Sequence, residues 1–101
     1  MRRAISKSGV PIRLTEERWF HIIEYHDDLA GYADKVLETI EAPEIVYEGW
    51  GNELLAVKEM QKGKYIIVVY REVAEIDGFV ITSFFSTRIE KLKWRRIIWQ
   101  K

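Results

Sequence analysis

His21 and His26 are the two imidazoles of the chain, and no cysteine accompanies them. They are the side chains whose ordinary titration falls near neutral pH. On a helix, Arg18 would lie one turn before His21 and Tyr25 one turn after it. A later stretch of strand character supplies Arg71, Thr82, Ser83, Ser86, Thr87 and Arg88. A histidine, an arginine and a hydroxyl converging in one cleft suit RNA cleavage without a metal. There the ribose 2′-OH attacks the adjacent phosphate, so one group takes a proton and another gives one. Fixed cations or donors must also meet the charge that builds on the phosphate.

Each of these residues has a plainer role beside the chemical one. His26 falls in an apolar stripe and equally suits a satisfied core position. His21 falls on a more polar face, where an uninvolved surface histidine is the commoner outcome. Arg18 with Glu24 would make an ordinary surface pair. Thr82 and Ser83 are common strand residues. Trp19, Trp50, Trp94 and Trp99 could stack bases, or fill a core or an interface. The histidines are five apart, about 140° around one helix, which is poor for holding one metal together. The absence of cysteine excludes disulfides, thiolate metal sites and cysteine nucleophiles. No GxGxxG, P-loop, HExxH, EF-hand or GxSxG pattern is present. The expectation is therefore no metal and no cofactor.

The 101 residues suit one domain spanning 1–101, with residues 1–11 as a flexible lead. Apolar residues at 48% and charged residues at 32% make a folding composition. No apolar run approaches the roughly 20 residues of a membrane span. The opening Met-Arg-Arg-Ala-Ile-Ser-Lys has no apolar signal region. A cytoplasmic protein with no membrane association is expected. The net charge is zero but segregated. Residues 1–15 carry +4, residues 88–101 carry +5, and the body between carries −9. If folding brought the ends together they would make a positive patch able to hold phosphates.

The elements that must position these groups follow from periodicity. Thr15 before Glu16 and Glu17 reads as a helix cap, with a helix to about His26. Asp27 and Asp28 can start a second helix, whose stripe is Leu29, Ala33, Val36, Leu37 and Ile40, stopped by Pro43. Strands then follow at 44–48, 53–60, 65–73 and 79–86, joined by short turns. The run Tyr65–Tyr70 suits a central strand buried on both faces. From Arg88 the pattern leaves helix open, while Ile97-Ile98-Trp99 could form an edge strand. Helices followed by an antiparallel meander make an α+β fold.

The segment from Ile12 to Leu29, with Thr15, Arg18, His21, Ile22 and His26, resembles the opening of the phage-type barnase–EndoU–colicin E5/D–RelE-like (BECR) nuclease domains. Thr39–Glu44, Tyr65–Tyr70, Val80–Phe84 and Ile97–Trp99 extend the resemblance over most of the chain from residue 12. The resemblance implies two N-terminal helices packed on an antiparallel sheet of about four strands. It implies a small metal-independent ribonuclease of the toxin–antitoxin or phage-element kind. Arg18, His21 and His26 would be its helix-borne site residues and Thr82 its sheet-borne hydroxyl. Two positions depart from the pattern. Asp27-Asp28 stands where the family has Pro-Glu, and Phe84 where it often has tyrosine. In this reading Arg71 holds the phosphate, and Arg88, Lys91, Lys93, Arg95 and Arg96 bind the RNA backbone. The alternative is an inactive binding module that pairs with an antitoxin protein or forms a homodimer, with Trp94 and Trp99 as anchors.

Overall fold

Thr15 opens the first helix by accepting the Arg18 backbone N–H on its hydroxyl at 3.1 Å. In the computed structural model, which describes residues 2–101, this helix α1 spans Glu16–Tyr25. His26 has left the helical conformation, although its N–H still donates to the Ile22 carbonyl at 2.8 Å. The expected second helix from Asp27 does not run through. Asp27–Leu29 forms a 3₁₀ turn, and Gly31 at φ 87° breaks the path. Left-handed backbone of that kind favours glycine. The second helix, α2, then spans Ala33–Glu41 and buries Ala33, Val36 and Ile40.

The strands are β1 (Arg2–Ile5), β2 (Pro11–Leu14), β3 (Ile45–Glu48), β4 (Glu53–Gln61), β5 (Lys64–Ala74), β6 (Asp77–Ser86) and β7 (Ile97–Gln100). They form one seven-stranded sheet in the order β1-β2-β6-β5-β4-β3-β7. The meander β3 to β6 is antiparallel throughout, as its turns require. The expected α+β arrangement of two helices on about four antiparallel strands is corrected by what flanks that meander. The β1–β2 hairpin joins β6 through a parallel contact, Ile12 opposite Gly78 and Arg13 opposite Phe79, and β7 joins β3. The sheet is therefore mixed. Residues 2–5 lie in a strand rather than in a loose lead. Each added strand has four residues; the edge strand that the sequence left open at Ile97–Trp99 is β7, whereas the pairing of the β1–β2 hairpin with β6 leaves no local pattern. Their extended state is held by hydrogen bonds to strands far along the chain.

Gly78 marks where β2 docks. A Cβ there would come within 2.5 Å of the Arg71 carbonyl oxygen and of Ile12 Cδ1. The sheet also curls, because Lys7 at the β1–β2 hairpin reaches to 4.7 Å from the Trp99 ring of β7, the opposite edge strand.

Helices cover one face of the sheet. Ile66, Val68 and Tyr70 of β5 pack there with Ile22, Leu29, Val36 and Ile40. Each fully buried aliphatic side chain contributes about 1.5–3 kcal/mol. The far face holds a smaller cluster of Tyr47, Leu55, Val57 and Ile67. It is covered in part by Ile89 and Leu92, from a 3₁₀ turn in the connection between β6 and β7. Among the described residues, no helix is long and apolar enough to cross a membrane.

Candidate functional site

The outer side of β6 is paired at its start alone. β2 meets Gly78 and Phe79, and among the described residues no strand continues along β6 beyond them. α1 packs beside that open stretch. Arg18 Nη1 reaches the Ile81 carbonyl oxygen at 3.4 Å. Ile81 is the extra residue of a bulge, since Val69 pairs with Thr82 while Tyr70 pairs with Val80. The bulge keeps Thr82 on the far face, opposite Val69.

Alternation then orders the far face of β6. Thr82 and Phe84 point the same way, about 7 Å apart along the strand. Half-buried His26 lies against Phe84, with ring centroids 5.9 Å apart and planes tilted by 34°. Phe79 pairs with Arg71, which therefore stands diagonal to Thr82 on the same face. From the other side Arg13 pairs with Phe79 and lays its guanidinium 5.5 Å from the ring centroid. Arg13 also grips Asp77 through Nε at 3.0 Å and Nη2 at 3.2 Å. That hydrogen bond holds the Asp77 carboxyl below the usual carboxylate range, and it raises the guanidinium of Arg13. A recess of about 120 Å³ opens between α1 and β6, lined by Arg13, Thr15, Glu17, Arg18, Phe79 and Val80.

Arg18, His26 and Arg71 thus each neighbour a residue of β6 within three positions of Thr82, namely Ile81, Phe84 and Phe79. His21 does not join them. It is exposed, in a shallow depression formed with Glu16, Glu17, Phe20 and Glu24. Three carboxylates there oppose a phosphate. Arg88, Lys91, Lys93 and Arg96 are exposed on or beside the connection between β6 and β7, whereas Arg95 is half-buried. Among the described residues no three carboxylates or imidazoles gather as a metal-binding set.

Comparison of the chain with family models, with curated proteins and with solved structures gives no match. Sequence reasoning missed three of the site's residues. Arg13 and Phe79 come together through the parallel docking of β2 on β6, which leaves no local signal. Glu17 reads in the sequence as a helix-start acid, yet it lines the same recess as Arg18.

Proposed function

We propose that this protein is a metal-independent endoribonuclease of the BECR kind, acting on RNA as a toxin of a toxin–antitoxin or phage-derived system. The observation that supports the reading is that Arg18, His26 and Arg71 neighbour β6 residues on either side of Thr82, next to a stretch of β6 edge that no described strand pairs. The 2′-oxygen attacks phosphorus and the bond from phosphorus to the 5′-oxygen breaks. This leaves a 2′,3′-cyclic phosphate and a free 5′-hydroxyl. His26 handles one of the two protons. Arg18 and Arg71 offset the charge on the five-coordinate phosphorus, and the Thr82 hydroxyl donates to a non-bridging oxygen. Glu17, in the recess beside Arg18, takes the other proton. Unpaired loop nucleotides suit so shallow a site better than a duplex does.

Total RNA incubated with the protein in EDTA tests this. Wild type is expected to fragment it, and His26→Ala to lose about 10²- to 10⁴-fold of that rate. Thr82→Val is expected to be slower than wild type. Identical RNA patterns for all three proteins would sink the cleavage reading.

A second reading, an inactive binding module, draws support from β7. This edge strand exposes Ile97 and Ile98, which suits pairing with an antitoxin strand or with a second copy. Free expression of the wild type as a stable dimer, with no RNA cleavage, favours it.

A further inference from the structure

Two tryptophans that the proposed chemistry does not use stand almost free of the molecule. Trp50, in the loop between β3 and β4, is 81% exposed, and Trp94, before β7, is 68% exposed. Their ring centroids lie 5.9 Å apart at 62°. Arg95 braces both, with its guanidinium carbon 4.2 Å from the Trp50 centroid and 4.9 Å from that of Trp94. Its Nη1 donates to the Glu48 carbonyl at 3.2 Å, which anchors the guanidinium to β3. Its Nε is buried without a partner. Leaving two indoles in water forgoes the burial that ordinarily stabilises them. Here Arg95 covers part of each ring, and the rest of both indoles is open to solvent.

We infer that Trp50, Trp94 and Arg95 form a stacking subsite for unpaired bases of single-stranded RNA, an inference that rests on the ribonuclease reading. Charge favours this occupant. Residues 88–96 carry five cations, Arg88, Lys91, Lys93, Arg95 and Arg96, against Glu90 alone. Among the described residues, these cations make one ion pair, a long one from Arg96 to Glu48 at 3.8 Å. Aromatic faces beside a cationic track suit a single strand, because every base offers a π-face and every linkage a negative charge. The core of a protein–protein interface is instead depleted in charged residues.

The platform also connects to the candidate site. Glu53 directly follows the Trp50 loop and pairs with Arg71. A cleft of about 520 Å³ lies there, in which Arg71 stands with the carboxylates Glu48, Glu53 and Glu72, so the phosphates of a bound strand must keep to the Arg71 side. Glu53 accepts the Gly51 N–H, the main reason its carboxyl titrates low, and the charges of Arg71 and Arg95 add to that effect. From β6 to β4 the sheet spans about 10 Å. A strand cut at Thr82 would thus pass Arg71 and lay its neighbouring bases on the tryptophans.

The probe is a 2′-O-methyl octauridylate, which lacks the attacking hydroxyl and so cannot be cut. It is expected to quench the tryptophan fluorescence of the full chain. Trp50→Ala and Trp94→Ala are each expected to weaken binding about tenfold. Trp50→Phe, which keeps a ring, should stay within about threefold. Both rings lie outside the core, and thermal melting checks that the variants fold. Unchanged affinity in the Trp50→Ala/Trp94→Ala double variant overturns the subsite. So does a double variant that abolishes a dimer and leaves RNA binding intact, since the cluster is then a protein interface. Tryptophan-dependent binding without any cleavage of unmodified RNA keeps the subsite and sinks the nuclease. Cleavage that persists with no tryptophan dependence does the reverse.

Discussion

His26 reaches the sheet because it ends α1 rather than continuing it. Its φ of −134° turns the chain away from the helix axis, and its ring comes to rest on Phe84. A helical wheel carried through to residue 26 groups it with Trp19 and Ile22 and misses this. His21, five positions earlier and still inside the helix, keeps the orientation of its own turn and faces water among acids. Asp77 makes a second local point. Its carboxyl is stabilised in the charged form by Arg13, so its folded-state pKa lies below the unfolded value. The resulting stability is present above the unfolded carboxylate pKa and is lost as pH falls through the folded value. Asp77→Asn is therefore expected to lower the urea midpoint at pH 7, and the gap from wild type should close in acid. A gap that held constant with pH would contradict the pairing.

At the level of elements, the decisive joint is the one between β2 and β6. Two residue pairs hold it, and one of the four residues is Gly78, with backbone and Ile12 where a Cβ would sit. Gly78→Ala is expected to cost about 1–3 kcal/mol in chemical denaturation, the range for overpacking. Because Arg13 rides on β2, the same variant should also displace it from Phe79. The meander needed no such joint to be legible. Tyr65–Tyr70 is a continuous apolar run, and β5 does bury Ile66 and Val68 on one face and Ile67 on the other. The α2 stripe was equally legible from spacing. Its start was not, since Leu29 keeps its place in the core while belonging to a separate turn.

Across the whole molecule, the two basic ends occupy opposite edges of the sheet, and its curl brings them back into contact through Lys7 and Trp99. A double-mutant cycle on Lys7→Ala and Trp99→Ala should show a coupling of about 0.5–1 kcal/mol, as for an exposed cation over an aromatic ring. A coupling near zero would mean that the ends meet without mutual stabilisation. Charge counting along the chain marked both ends as cationic and was silent on their partners. In the fold, the segment after Arg88 is pinned across the far face by Ile89 and Leu92, which leaves Lys91, Lys93 and Arg96 outward and Arg95 half-buried.

Local pattern was enough for the meander, the α2 stripe, the Thr15 cap and the stop at Pro43, since each depends on neighbours within a few residues. The strand state of β1, the place of β2 and β7 in the sheet, and the packing of His26 rather than His21 against Phe84 came from contacts between distant segments. A four-residue strand gains its hydrogen bonds from a partner it meets after folding, and a side chain at a helix end takes its direction from what the helix is packed against. Neither partner leaves a trace in the adjoining residues.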